Sequence, residues 1–178
     1  MDINFNDIMD LLGLDDLADF LGKPIQRPLT SDDDVYSEIL KGVGAPVTNR
    51  NMMLMYAWRQ AEGGEAANNP FNTTKPTTNS TFYNCLSRGG GKCRIGVRNY
   101  SNRLEGILAT IQTLKNGKYN NVISALKDNS KSLYDVAKEI KNSKWGTSKV
   151  ILDVVDGYMD GAKPKPRPIS PNAKKIVV

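Results

Sequence analysis

The chain has 178 residues, a formal net charge of +5, two cysteines and no histidine. That length fits one domain with short extensions, large enough to bury a real core. The absence of histidine excludes Ser-His-Asp and Cys-His catalysis and every His-based zinc site, so no metal or cofactor is expected and any chemistry falls to carboxylates, hydroxyls, lysines or the two cysteines.

The charge is unevenly placed. Residues 1–40 carry ten acids against Lys23 and Arg27, a net of −8; residues 41–160 carry nine acids and seventeen bases, a net of +8; residues 161–178 add five bases and no acid. A basic body suits an anionic polymer, either nucleic acid or a cell wall bearing teichoic acid or peptide carboxylates, with a merely solvated surface as the alternative. Nucleic acid is the weaker reading, because the basic residues are not interleaved with a base-stacking motif. No run reaches the roughly 18 apolar residues of a membrane span, and the acidic start is not that of a Sec signal peptide.

In chain order, residues 3–22 predict two short amphipathic helices, with Phe5, Ile8, Met9 and Leu12 on one stripe and Leu14, Leu17, Ala18 and Leu21 on the next. Their outward faces are nearly all aspartate, which suits packing on the chain's own domain or docking on a partner. Docking is favoured because Lys23–Ser31 reads as a linker with two prolines. Ser31 or Asp32 then caps a helix through Leu40. After the turn at 42–46, Thr48 caps a second helix, whose Leu54, Ala57, Trp58 and Ala61 share one face. Gly63 and Gly64 end it.

Glu62 is thus the last helical residue, one turn beyond Trp58. A carboxyl group there faces the negative end of the helix dipole and lies beside an indole. Both disfavour its ionised form, as a general acid working near neutral pH requires. The bland alternative is a solvated glutamate at a helix end.

No carboxylate occurs between Glu65 and Glu105. The Asn-Asn-Pro-Phe-Asn-Thr-Thr run at 68–74 has turn-forming amides and hydroxyls that would also suit sugar hydroxyls and acetamides. Residues 82–84 and 95–100 predict two short strands of a hairpin. Their connection is bracketed by Cys85 and Cys93, read as a disulfide closing a small loop, with two free thiols as the alternative. Asn102 and Glu105 form a capping-box-like start to a helix through Leu114. Shorter helices follow, carrying Val122 and Leu126, then Val136, Ala137 and Ile140. Trp145-Gly-Thr147 interrupts the pattern before a last helix to about Met159. Residues 161–178 alternate Lys/Arg with Pro and would be extended alone, so order there implies contact with another subunit.

The strings AWRQAEGGEAANNPFNTT, IGVRNY, GILATIQTLKNGKY and SKWGTSK, in that order, resemble the lysozyme-like domain of phages and bacteria, in kind with goose-type lysozymes, lytic transglycosylases and bacterial glucosaminidases. The resemblance covers about Val35 to Asp156 and leaves out head and tail. It implies a mainly α, α+β fold with a small β-hairpin beside the active-site cleft. It also implies Glu62 as catalytic acid on the bond between N-acetylmuramic acid and N-acetylglucosamine. Tyr83 or Tyr100 would lie near that acid, and Asn69, Asn72 and Thr74 near the sugars. The Cys-bracketed glycine insertion departs from the family pattern.

A two-carboxylate glycosidase needs a second acid about 5–10 Å from the first, and Glu65 is the only near neighbour in sequence. It would be that partner or point to solvent. A one-acid route, in which the substrate's own acetamide or 6-hydroxyl captures the cation, fits better. The expected organisation is a docking segment and linker at 1–30, a catalytic domain at 31–160 and a basic tail at 161–178. The expected setting is a phage tail or virion, where head and tail bind other virion proteins and the enzyme opens the host wall during genome entry. The competing class is a non-catalytic virion structural or wall-binding protein with the same fold.

Overall fold

The computed structural model describes residues 29, 31–147, 149–165 and 168–172. The acidic head, with the helices and docking role expected of it, lies outside the described residues. Within them the protein is mainly helical, α+β in class, as expected. Helices α1 (Asp32–Gly42) and α2 (Asn49–Glu62) precede strands β1 (Thr81–Phe82), β2 (Ser87–Gly89), β3 (Lys92–Ile95) and β4 (Arg98–Asn99). Helices α3 (Arg103–Leu114), α4 (Asn120–Lys127), α5 (Leu133–Asn142) and α6 (Val150–Met159) follow.

Caps set most helix starts. Ser31 forms a capping box with Asp34 before α1, and Ser132 does the same with Asp135 before α5. The Asn102 side chain accepts from the Glu105 amide at 2.9 Å, but the Glu105 carboxylate reaches one residue further back than a capping box, to the amide and hydroxyl of Ser101. Thr48 caps α2, and Gly63 closes it in the left-handed conformation at φ 62°.

Helix α2 is the central element and packs against α1, α5 and α6. Its first turn is tied to the end of α4. The Arg50 guanidinium donates to the carbonyls of Leu126, Asp128 and Lys131 at 2.9, 2.6 and 2.7 Å, and the Asn51 amide donates to Leu126 O at 3.0 Å. The bonds to Leu126 and Asp128 satisfy carbonyls that a helix end leaves open. The core around α2 includes Ile39, Leu40, Leu54, Phe71, Ile111, Val136, Ile140, Ile151 and Val155. Each large apolar side chain so buried favours folding by about 1.5–3 kcal/mol.

The hairpin is longer than its sequence predicts. An outer antiparallel pair, β1 with β4, holds its base, with Phe82 opposite Arg98. The connection between them is itself a second antiparallel pair, β2 with β3. Gly90 and Gly91, at φ 61° and 76°, make the tip, as a two-residue hairpin turn demands. The expected disulfide joins Cys85 to Cys93 with Cα atoms 5.6 Å apart, and so staples the inner pair.

The tail supplies a second difference. Where the sequence implies order through a partner, residues 168–170 are held by the chain's own domain. Ile169 is buried in the core, its amide donates to Asp32 Oδ2 at 3.1 Å, and Ser170 O accepts from the Asn68 amide at 2.8 Å. An isolated isoleucine between Pro168 and Ser170 carries too little apolar pattern for sequence alone to seat it in a core. No helix of the described residues is long and apolar enough to cross a membrane.

Candidate active site

The end of α2, the loop at 64–74 and the segment between α5 and α6 converge on Glu62. Thr147, 85 positions later, donates its hydroxyl to Glu62 Oε1 at 2.6 Å. The Thr147 oxygen in turn accepts the Trp58 indole N–H at 3.2 Å. That polarity turns the Thr147 proton toward Oε1. A proton on the carboxyl group therefore sits on Oε2, whose hydrogen bond is a long one, 3.4 Å from Asn72 Nδ2. The same Asn72 amide donates to the Glu62 backbone carbonyl at 2.9 Å.

Burial pushes the Glu62 carboxyl above its ordinary range. Hydrogen bonds from Thr147, Trp58 and Asn72 and the charge of Arg59 oppose the shift without cancelling it. An acid so placed holds its proton to higher pH than a solvated glutamate.

Tilted and edge-on ring contacts fix Trp58. Its ring lies 4.8 Å from Phe71 and 4.9 Å from Trp145, and Trp145 lies 5.2 Å from Tyr119. Trp145 is anchored by its indole N–H to the Phe71 carbonyl at 3.0 Å. Trp145 and Tyr119 are thus core aromatics. Their packing brings Thr147 to the acid.

The loop after α2 is held as tightly. Asn72 adopts a left-handed conformation at φ 54°, and a Cβ at Gly64 would fall 1.8 Å from its Oδ1. Only glycine at position 64 lets Asn72 close on Glu62. Arg59, wholly buried, donates to the carbonyls of Gly64 at 2.7 Å and of Pro70 and Pro168 at 3.3 Å.

The expected site residues therefore divide. Glu62 and Asn72 come together. Asn69 does not face a ligand. It is fully buried, donating to the carbonyls of Thr73 at 2.9 Å and Arg98 at 2.7 Å while accepting from the Thr73 amide at 2.9 Å. Its amide is used to join the loop to β4, which corrects the sugar-binding role expected for it. Tyr100 is corrected likewise: its ring is buried, and its hydroxyl donates to the Lys75 carbonyl at 2.7 Å. Tyr83 is half-buried at the hairpin base, its amide bonded to the Val97 carbonyl, and Thr74 and Glu65 are exposed. Among the described residues, no cluster of three or more His, Cys, Asp or Glu side chains is able to hold a metal ion.

Thr147 and Arg59 are the site residues that sequence reasoning missed. Thr147 lies within the SKWGTSK string, the one signal that pointed to it. Arg59 follows Trp58 on a helix and reads as a surface cation. In comparisons with known proteins, no family model, no curated protein and no solved structure matches the chain significantly.

Proposed function

We propose that this protein cleaves the glycan strands of peptidoglycan at the bond between N-acetylmuramic acid and N-acetylglucosamine, with Glu62 as its acid. One observation carries the reading: the Glu62 carboxyl is desolvated, oriented by Thr147 backed by Trp58, and has its ionisation disfavoured. A site that served only packing gains nothing from an acid held in this way, because its desolvation costs stability.

The chemistry follows from the groups at hand. Glu62 Oε2 donates its proton to the glycosidic oxygen as the bond to C1 breaks. The 6-hydroxyl of the muramyl sugar then closes on C1 and returns its proton to the Glu62 carboxylate. The product is an anhydro sugar, with no net change in the enzyme. Glu65 is exposed on the far side of two glycines, which favours this one-acid route over a retaining hydrolase. Asn72 and Tyr83 stay as candidate substrate contacts. The setting, a phage tail or virion component that opens the host wall during genome entry, rests on the family resemblance and the charged extensions.

The test is mass spectrometry of soluble products from purified peptidoglycan, with wild type beside Glu62→Gln. Anhydro-muramyl ends from wild type alone are expected. Reducing ends would replace the one-acid route with hydrolysis. Products from neither protein would leave the non-catalytic wall-binding reading in its place.

A further inference from the structure

The inner hairpin is largely exposed, and the proposed chemistry does not use it. Strands β2 and β3 show solvent on both faces, with Arg88, Lys92 and Arg94 all exposed. No carboxylate of the described residues pairs with these three cations, and residues 81–99 contain no acid. The fourth cation, Arg98, lies instead over the Phe82 ring, 3.7 Å from its centre.

Among the cations sit two large aliphatic side chains. Leu86 is 62% exposed and Ile95 53% exposed. The two strands meet at these residues: the Leu86 amide donates to the Ile95 carbonyl at 2.8 Å, and Ser87 lies opposite Ile95 in the register. The Cys85–Cys93 disulfide closes the element directly beside them, so the finger is held in shape before it meets anything and loses little conformational entropy on docking.

We infer that this disulfide-stapled hairpin is a docking finger for an anionic lipid surface, with Leu86 and Ile95 entering the acyl boundary and Arg88, Lys92 and Arg94 meeting the headgroup phosphates. The charge selects an anionic surface. The aliphatic pair separates a bilayer from a soluble polyanion, since a phosphodiester or polysaccharide chain gives two exposed aliphatic groups nothing to be buried in. The finger needs no long apolar helix, so the absence of one among the described residues does not bear on it.

The test uses the full oxidised chain in co-sedimentation with vesicles of equal phosphatidylglycerol and phosphatidylcholine, beside vesicles of phosphatidylcholine alone, at physiological salt. Binding to the anionic vesicles only is expected. Leu86→Ser with Ile95→Ser should weaken it about tenfold or more, the loss expected for two partly inserted aliphatic side chains. Arg88→Gln, Lys92→Gln and Arg94→Gln together should weaken it about 100-fold, at roughly fivefold per cation. These positions are exposed, and an unchanged thermal transition will show that the variants fold. Absence of binding by wild type overturns the inference. So does equal binding by the Leu86/Ile95 variant, which would reduce the finger to a general polyanion surface. Glu62→Gln should bind vesicles like wild type, so this inference and the glycan-cleaving reading fail separately.

Discussion

Replacing Thr147 by valine tests the electrostatics of the site independently of any activity. Valine keeps the shape of threonine and removes its hydroxyl. The 2.6 Å bond to Glu62 Oε1 is lost, and the Trp58 indole N–H loses its acceptor. A hydrogen bond to an ionised carboxylate is worth about 1.5–3 kcal/mol, against about 0.5–1.5 kcal/mol for a neutral one. The ionised form therefore loses about 1–1.5 kcal/mol more than the protonated form, which converts to a rise of roughly one pH unit in the titration of Glu62. Its pKa is already raised by burial, so the variant moves it further in the same direction. The assay is a pH titration of the Glu62 side-chain carboxyl carbon by NMR, with wild type, Thr147→Val and Thr147→Ser side by side. Serine keeps the hydroxyl and should titrate near wild type. The stranded indole should also lower the valine variant's stability by about 1–3 kcal/mol. A Glu62 midpoint that is unchanged or lower in the valine variant would refute the account of how this acid is tuned.

Three further outcomes follow from the same structure. Because the folded-state pKa of Glu62 lies above its ordinary value of 4.5, its contribution to stability is full below that value and lost as pH rises through the folded pKa. The stability of Glu62→Gln relative to wild type should therefore increase from pH 4 to neutral pH in parallel thermal melts, and a pH-independent difference would contradict the shift. Ile169→Ala should cost about 2–5 kcal/mol in urea unfolding; a loss under about 0.5 kcal/mol, typical of a surface site, would mean that the tail is not seated in the core. Removing the disulfide with Cys85→Ser and Cys93→Ser relaxes a constraint worth roughly 2–3 kcal/mol, but one confined to an exposed hairpin. Limited proteolysis should cut the variant faster near Gly90 and Gly91 while the main unfolding transition stays in place; a large fall in that transition would show the hairpin to be part of the core's cooperative unit.

Much of the helical framework is legible in the sequence because it is local. Thr48, Gly63 and the Leu54-Ala57-Trp58 stripe define α2 and put Glu62 at its end, since caps and 3.6-residue periodicity act within a turn or two. The same holds for Val136, Ala137 and Ile140 in α5. What the sequence does not disclose is contact across distance. Nothing near Thr147 announces a carboxylate 85 positions earlier. Asn69 and Tyr100 have the chemistry of ligand-binding residues, and their use inside the fold becomes visible only when the carbonyls of Thr73, Arg98 and Lys75 are placed around them. The inner strand pair was hidden by its glycines, which signal a turn but not the ladder leading to it. Arg59 was hidden by its charge: buried arginines are rare, and the three carbonyls that accept its hydrogen bonds come from the 64–74 loop and from the distant tail.

The anchorage of Arg59 also has a mechanical consequence. Its guanidinium grips Pro168 with one nitrogen and the Gly64 and Pro70 carbonyls with another. Tension applied to the chain beyond Asn172 would meet first the Ser170 bond to the Asn68 amide and then Ile169 in the core. It would then pass through Pro168 into the segment that lets Asn72 close on Glu62. A tether attached to the tail would thus pull on the acid's own mounting, and the grip of Ile169 and Asp32 sets how much load the site can bear before it loosens.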